Sequence, residues 1–158
     1  MAQIITLVLS NLPSLLFAAA ILIAVAHSGG ARAARLLDWM LLLPVGIGSA
    51  WAGFFHIVFP EVAARSIGWQ VSPFQFEIGV ADMAIGMTAI AAFWRGMDFK
   101  SAVVIYVVLF NAGVAAGHLR QVMAGDFAPN NFGLLLVVTI AEIILLPILL
   151  RRAWREAS

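Results

Sequence analysis

Residues 41–59 read LLLPVGIGSAWAGFFHIVF, and they contain no Asp, Glu, Lys or Arg. A helix needs about 20 mostly apolar residues to cross a bilayer, because each residue advances it by about 1.5 Å and the hydrocarbon core is roughly 30 Å thick. With its apolar flanks, this stretch extends over about residues 36–60 and meets that length. It therefore predicts a membrane-spanning helix, and the fold class depends on how often the pattern recurs.

The composition of the whole chain agrees with a membrane protein. Of the 158 residues, 63% are hydrophobic and only 11% are charged, with a mean hydropathy of +1.03. A soluble domain has about 25% charged residues. These values exclude an ordinary water-soluble globule, a disordered chain and a coiled coil. The chain has no Cys, which excludes thiol catalysis and Cys-ligated zinc, and its net charge of +1 gives no reason to expect nucleic acid as a partner.

Runs of about 20 mostly apolar residues recur along the chain, and five segments are long and apolar enough to span a bilayer. Each is predicted to be a helix, because unpaired backbone groups are costly in hydrocarbon and the segments are too continuous for barrel strands. The first has no basic residues before it and no small-residue cleavage site, so we expect it to remain in the protein. We predict an all-α integral membrane bundle of five transmembrane helices that forms a single domain over residues 1–158. The spans are expected at about residues 4–27, 36–60, 73–94, 101–122 and 131–150.

The distribution of Lys and Arg predicts the orientation, since cytoplasmic loops are enriched in both residues. Five spans place the two termini on opposite sides of the membrane. Most of the 9 basic residues then fall on the C-terminal side, namely Arg32, Arg35, Arg95, Lys100, Arg151, Arg152 and Arg155. Arg65 and Arg120 fall on the other side. We therefore expect the N-terminus outside the cell and the C-terminus in the cytoplasm.

The two links on the predicted outer side carry local signals of their own. Residues 61–72 (EVAARSIGWQVS) fit either an interfacial helix, with apolar side chains on the leaflet and charged ones in water, or a plain loop. Residues 125–131 (GDFAPNN) are rich in turn-forming residues. In that link Asp126, Asn130 and Asn131 are expected to cap the fifth helix, or to form a lid over a pocket.

The polar residues inside the predicted spans fall at two depths. An ionisable group in a span costs about 2.5–3.5 kcal/mol on insertion scales, so each is a candidate for function. Counted along the helices, the outer layer lies about 6 Å and the middle layer roughly 14–16 Å from the outer boundary. The outer layer consists of His56, Glu77 and His118, and the middle layer of Asp82, Asn111 and Glu142. Because the cytoplasmic half of each span is almost purely apolar, we expect these side chains to converge in one pocket at the outer leaflet.

Small residues at helical spacing predict close packing between spans, since they let two backbones approach each other. One such stripe on the third span consists of Gln75, Gly79, Asp82 and Gly86. Gly113 and Gly117 form a GxxxG pattern in the fourth span. That pattern fits packing inside the bundle and association with another protein equally well.

The predicted pocket contains residue types that bind metal ions and move protons. Two neutral imidazoles and a carboxylate suit a transition metal such as Zn, Fe or Cu. The candidate metal ligands are His56, Glu77 and His118. The candidate catalytic groups are Glu77 and Asp82, and the candidate ligand-binding residues are Gln75, Asn111 and Glu142. The predicted function is binding of a metal ion or a small molecule. The narrower hypothesis is a metal-dependent membrane enzyme that acts on a lipophilic substrate.

Other interpretations of the same residues stay open. The histidines fit ordinary hydrogen-bonded positions near the membrane surface, and the carboxylates fit contacts that hold helices together. A proton-coupled carrier or channel would also use buried carboxylates, although the cytoplasmic half offers few polar groups for a path. An assembly or structural subunit of a larger membrane complex would use the small-residue faces. The expected partners are the lipid bilayer, a small lipophilic ligand and a second copy of the chain.

Two stretches resemble a known family. Residues 56–82 read HIVFPEVAARSIGWQVSPFQFEIGVAD, and residues 117–131 read GHLRQVMAGDFAPNN. Through these stretches, and most specifically through IGW and SPFQFE, the chain resembles a family of small bacterial multi-span integral membrane proteins of unknown function. The resemblance implies a multi-pass protein of the bacterial inner membrane. It implies no catalytic residue and no cofactor.

Overall fold

The chain folds into a set of long helices joined by short links. The computed structural model describes residues 11–27, 31–66, 69–128 and 131–157. Within these ranges the chain is helical and contains no strand, which confirms the predicted all-α class. The elements are α1 (Leu12–Ala26), α2 (Arg32–Met40), a π-helical segment (Leu41–Ile47), α3 (Gly48–Val58), α4 (Pro60–Ser66), α5 (Pro73–Ala92), α6 (Met97–Met123) and α7 (Leu134–Ala157).

Four helical stretches are long and apolar enough to cross a membrane, and they correspond to the second to fifth predicted spans. They are Arg32–Val58, Pro73–Ala92, Met97–Met123 and Leu134–Glu156. The first predicted span corresponds to α1, which is apolar but shorter than a span. Residues 4–10 of that predicted span, and the link at 28–30, lie outside the described residues. The structure is therefore compatible with a multi-pass membrane protein that has four candidate spans.

Two helices extend beyond the predicted spans at their charged ends. Helix α6 begins at Met97 instead of near residue 101, and α7 continues to Ala157 instead of ending near residue 150. Hydropathy detects only the part of a helix that lies in apolar surroundings, whereas backbone hydrogen bonding continues into the charged turns. Asp98 also favours the first turn of α6, because a negative charge is stabilising at a helix N-terminus. Helix α7 begins later than predicted, at Leu134.

The second span contains a π-helical segment around Pro44. Helix α2, this segment and α3 form one continuous helix over Arg32–Val58. A proline inside an α-helix has no N–H to donate and clashes with the carbonyl four residues before it. The wider hydrogen-bonding pattern of a π-helix accommodates that ring without ending the helix. The segment Leu41–Ile47 thus lets the span continue through Pro44.

Glycines bring α3 and the π-helical segment into direct backbone contact with α5. A Cβ atom placed on Gly53 would lie 2.6 Å from the carbonyl oxygen of Gly79, and one on Gly86 would lie 2.5 Å from the amide nitrogen of Ala50. Real Cβ atoms do not make contacts this short, so these positions require glycine. The stripe predicted on the third span therefore does pack against a neighbouring helix. In contrast, no atom lies within 4 Å of a Cβ on Gly113 or Gly117, so the GxxxG pattern makes no packing contact within the described chain.

The apolar core extends between α2, the π-helical segment, α6 and α7. Leu37, Leu41 and Leu146 have no exposed surface, and Val104 of α6 is 2% exposed. These side chains form one cluster with small residues of α1 and α5. The cluster holds the bundle together at mid-depth and toward the end that carries the C-terminus.

Polar contacts tie the helices together at that same end, which we name the C-terminal end of the bundle. Lys100 of α6 is almost fully buried and forms an ion pair with Asp38 of α2. The carboxylate of Glu156 in α7 accepts hydrogen bonds from the backbone N–H groups of Ala33 (3.0 Å) and Ala34 (3.1 Å). The first N–H groups of a helix have no partner within it, so Glu156 serves as the cap of α2 from a distant part of the sequence.

The link after α3 forms a short helix, α4, at the opposite end of the bundle. Of the two interpretations of residues 61–72, the helical one therefore holds for the first part of the link. Ala63 and Ala64 are buried, while Glu61 and Arg65 are exposed. The charged side chains thus point away from the protein, and a position of α4 on a membrane surface stays a prediction.

Candidate functional site

The predicted site residues lie on two separate pairs of packed helices. Helix α3 packs closely against α5, and α6 packs closely against α7, whereas the contact between α5 and α6 is smaller. The first pair carries His56, Gln75, Glu77 and Asp82. The second pair carries Asn111, His118 and Glu142. These residues were predicted to share one pocket. Among the described residues, Asn111 and Glu142 are hydrogen-bonded to each other, and no hydrogen bond or ion pair joins a predicted site residue of one pair to one of the other.

The predicted metal site does not form within the residues that the structure describes. No group of three or more His, Asp or Glu side chains in residues 11–27, 31–66, 69–128 and 131–157 could hold a metal ion. His56 lies on α3, His118 lies on α6, and Glu77 is exposed on α5. Equal depth along three helices does not make their side chains face one another, because the face of each helix is set by its packing.

On the α3–α5 pair, Gln75 closes the bend between α3 and α4. Its side chain is buried, and its Nε2 donates a hydrogen bond of 2.7 Å to the carbonyl oxygen of Pro60. Its Oε1 and the Nδ1 atom of His56 are buried and have no hydrogen-bond partner among the described residues. Gln75, a predicted ligand-binding residue, therefore has a clear structural role where the chain turns.

The two predicted catalytic carboxylates do not share a site. Glu77 is exposed and Asp82 is half-buried, both on α5. Five residues separate them, which corresponds to about 140° around the helix. Within the described part of the chain, neither carboxylate has a hydrogen bond or an ion pair. Their catalytic roles remain predictions.

On the α6–α7 pair, two of the predicted middle-layer residues are in contact. The Nδ2 atom of Asn111 donates a hydrogen bond of 2.8 Å to Oε2 of Glu142. Glu142 is 7% exposed and lies in the middle of α7. A hydrogen bond between polar side chains stabilises two helices inside a membrane. This pair therefore links α6 and α7, while Asp82 belongs to the other helix pair.

His118 belongs to a polar network at the opposite end of the bundle from the C-terminus. Its Nδ1 lies 2.8 Å from Oδ1 of Asn131, which is fully buried. The Nδ2 atom of Asn131 donates to Oδ2 of Asp126 (2.8 Å) and to Oε1 of Gln121 (2.9 Å). Oε1 of Gln121 also accepts a hydrogen bond of 3.3 Å from Nε1 of Trp69. The network holds the link between α6 and α7 against the last turns of α6.

The structure corrects the expected role of this link. Asn131 was expected to cap the fifth helix, but α7 begins three residues later, at Leu134, and Asn131 instead bonds to residues on the α6 side. Asn130 lies outside the described residues. Gln121 and Trp69 were not predicted to be members of a site. The only signal for them was a polar run between two apolar segments.

A cavity that was not predicted from the sequence lies between α5 and α6. Its volume is about 290 Å³. The walls are mostly apolar, and its two side-chain hydroxyls belong to Thr88 and Tyr106. Its lining includes Ala84, Ile85 and Thr88 of α5 and Phe99, Ala102 and Tyr106 of α6. Most of these residues are partly exposed, so the cavity is a cleft that opens to the surroundings of the bundle. It lies in the halves of α5 and α6 that adjoin the C-terminal end, far from the predicted outer pocket.

Comparison with known proteins gives a family without an assigned function. Comparisons with curated proteins and with solved structures return no match. A family model described as a family of unknown function, DUF6790, matches residues 10–158, which is nearly the whole chain. The resemblance to a family of unknown function therefore agrees with this match, while the quoted motifs and the bacterial origin are not part of it. The chain belongs to the family of unknown function DUF6790.

Proposed function

We propose that this chain is a multi-pass membrane protein that binds a lipophilic molecule in the cleft between α5 and α6. The observation that carries the proposal is the cleft itself, with a volume of about 290 Å³ inside two candidate spans. That volume is close to the lower limit of small-molecule pockets, which is about 300 Å³. The apolar walls favour a chain or ring of hydrocarbon. The hydroxyls of Thr88 and Tyr106 would orient one polar group on it.

The opening of the cleft toward the surrounding lipid supports a ligand that enters from the bilayer. Ala84, Thr88 and Phe99 are exposed at its edge, and so are Ala102 and Tyr106. In a membrane these side chains would face acyl chains instead of water. A ligand dissolved in the lipid phase would therefore reach the cleft by lateral diffusion.

We further propose five spans, with the N-terminus outside and the C-terminus in the cytoplasm of a bacterial cell. Helix α1 would complete the first span together with the residues that precede it. Exposed arginines support the orientation, because they cluster at the C-terminal end of the bundle: Arg32, Arg95, Arg151, Arg152 and Arg155. In this orientation the cleft opens in the cytoplasmic half of the bilayer.

The two predicted catalytic carboxylates lie on different faces of α5. Asp82 belongs to the stripe that packs against α3, whereas Glu77 precedes the lining residues Ala84 and Thr88 by seven and eleven residues and so shares their helix face. Ionisable groups inside spans are rare and commonly functional. The residues that line the cleft include no carboxylate, so the enzyme hypothesis has no catalytic group there. The metal-dependent form of this hypothesis has no support, since the described residues include no metal-binding group.

A proton-coupled carrier is the second candidate, and a different observation favours it. Glu142 is a buried carboxylate in the middle of a candidate span, and Asn111 holds it from the neighbouring helix. Buried carboxylates of this kind are typical of proton relays. Proton flux into liposomes that is lost in Glu142→Gln would favour the carrier over simple ligand binding.

The binding proposal is tested by filling the cleft. Ala102 lines the cleft and Ala112 lies elsewhere on the exposed surface of the same helix, so Ala102→Trp and Ala112→Trp form a matched pair. The probe is a long-chain fatty alcohol with a photoreactive diazirine on its chain, added to proteoliposomes. We expect labelling of α5 and α6 in wild type and in Ala112→Trp, and a loss of at least tenfold in Ala102→Trp. Equal labelling of all three proteins would reject the cleft as the binding site.

A further inference from the structure

Two hydroxyl groups in the cleft between α5 and α6 are free to bond to a ligand. Thr88 of α5 and Tyr106 of α6 line the cleft, and both side chains are exposed. Neither hydroxyl has a hydrogen bond among the described residues. In contrast, the hydroxyls of Ser101 and Thr139 donate to the backbone carbonyl four residues earlier, at 2.7 and 3.0 Å. Such a bond satisfies a helical hydroxyl within its own helix, and Thr88 does not make it.

The two hydroxyls lie inside the candidate spans and not at their ends. Thr88 is four residues before the end of α5 at Ala92, or about 6 Å along the helix. Tyr106 is nine residues after the start of α6 at Met97, or about 14 Å. Helical side chains lean toward the N-terminus of their own helix, and α5 and α6 run in opposite directions. We therefore expect the two hydroxyls to approach each other in depth, in the middle of the cleft.

No charged side chain lines the cleft. Asp82 belongs to the stripe that packs against α3, and Lys100 forms its ion pair with α2. Glu77, Arg95 and Asp98 lie beyond the two ends of the cleft. A charge moved from water into apolar surroundings without a partner is very costly. A ligand whose polar group reaches the level of the two hydroxyls must therefore be uncharged at that group.

The size of the cleft limits how much of the ligand it encloses. An apolar cavity of about 150 Å³ holds one molecule of benzene, so about 290 Å³ is space for about 12 carbon atoms. The length of the cleft agrees with this value, because Phe99 and Val107 are eight residues apart, or about 12 Å along α6. The enclosed part of the ligand is thus one hydrocarbon chain or a small ring system, and any longer part extends into the lipid.

We propose that the ligand of the cleft is an uncharged lipid whose polar group is a hydroxyl or carbonyl oxygen, bound by Thr88 and Tyr106. This inference rests on the proposed binding function of the cleft and adds the class of ligand. Each hydroxyl can donate a hydrogen bond to such an oxygen atom, and each can also accept one from a ligand hydroxyl. Long-chain alcohols, ketones and quinones belong to this class. A single-chain lipid whose only polar group is charged does not.

The proposal is tested with three photoreactive probes in phosphatidylcholine proteoliposomes. They share one chain with a diazirine and end in a hydroxyl, a methyl or a sulfate group. Labelling of the cleft is taken as the part that is lost in Ala102→Trp. We expect the alcohol to label the cleft at least about tenfold more strongly than either other probe, because one ordinary hydrogen bond changes an equilibrium by about fivefold.

Two results of this comparison have different meanings. Alcohol labelling no stronger than that of the alkane or the alkyl sulfate would overturn the inference of an uncharged, hydrogen-bonded ligand, while the cleft would remain a binding site. Labelling of the cleft by none of the probes would instead reject the proposed binding function itself.

A matched pair of variants tests the role of the two hydroxyls. Thr88→Val/Tyr106→Phe removes both and keeps the side chains close to their original shape, whereas Thr139→Val removes a hydroxyl that bonds to its own helix outside the cleft. We expect alcohol labelling to fall to the level of the alkane in the double variant and to stay unchanged in Thr139→Val. Alkane labelling equal to that of wild type would show that the cleft of the double variant is intact. Full alcohol labelling of the double variant, or an equal loss in Thr139→Val, would overturn the assignment.

Discussion

The glycine contact between α3 and α5 makes a strong prediction about stability. A Cβ placed on Gly53 would lie 2.6 Å from the carbonyl oxygen of Gly79 and 2.6 Å from the amide nitrogen of Met83. Ordinary Cβ contacts begin at 3.4 Å, so Gly53→Ala requires the two helices to move apart by about 0.8 Å (3.4 − 2.6) at this point. Both contacting atoms belong to the backbone, and a side-chain rotation therefore cannot relieve the overlap.

The magnitude follows from two opposing effects. Overpacking a well-packed interior costs about 1–3 kcal/mol, and a rigid backbone contact belongs at the upper end of that range. Replacing a helical glycine with alanine recovers up to about 1 kcal/mol of helix propensity. We therefore expect Gly53→Ala to lower the free energy of unfolding by about 2 kcal/mol. Gly113→Ala is the matched control, because its Cβ meets no atom within 4 Å and only the propensity effect remains.

The assay is reversible unfolding of the purified protein in mixed micelles with increasing SDS. We expect the midpoint of Gly53→Ala to fall well below that of wild type and the midpoint of Gly113→Ala to be equal or higher. Equal midpoints for Gly53→Ala and wild type would refute the close backbone contact. A fall of the unfolding midpoint in Gly113→Ala as large as that in Gly53→Ala would show that the GxxxG face packs against a partner, such as a second copy of the chain.

Three further predictions concern the polar contacts and the topology. Lys100→Met leaves the carboxylate of Asp38 without its partner. We expect the free energy of unfolding in SDS to fall by about 3 kcal/mol, because breaking a buried ion pair is costly, and to recover in part in Lys100→Met/Asp38→Leu. A full loss that persists in the double variant would contradict this explanation. Asn111→Leu removes the hydrogen bond to Glu142, and we expect it to lower the free energy of unfolding by about 0.6–1.7 kcal/mol in the same assay. An unchanged free energy of unfolding would show that the bond is absent in the membrane. Asp126→Cys should react with a membrane-impermeant maleimide added to intact cells, and reaction only after cell lysis would reverse the proposed orientation.

The general character of the fold was predictable from residues 36–60, 73–94, 101–122 and 131–150, because hydropathy over about 20 residues measures a property of each segment by itself. The four candidate spans agree with these ranges to within a few residues, except where α7 continues through its charged last turns. The π-helical segment at Pro44 was not predicted. A proline in an apolar run is compatible with a kink, a break or a wider turn, and the choice depends on the neighbouring helices.

The site was predicted much less well, and the reason is geometric. Depths counted along the helices match for His56, Glu77 and His118, but depth is only one of three coordinates. The sequence did not show which face of α3, α5 or α6 is turned toward its neighbours. Asn111 and Glu142 were placed in the same layer and do form a hydrogen bond, since their helices pack against each other. The cleft between α5 and α6 could not be predicted, because it results from the separation of two helices and leaves no pattern in either.

The amino-acid sequence alone determined that the chain is helical, apolar and suited to repeated crossing of a membrane, because those properties depend on local hydropathy and backbone hydrogen bonding. The tertiary structure decided which polar side chains meet. It joined Glu156 to the start of α2, Asn131 to His118 and Gln75 to Pro60, all across separate elements. These contacts depend on helix rotation and tilt, which are set by close packing at residues such as Gly53 and Gly86 and not by the polar residues themselves.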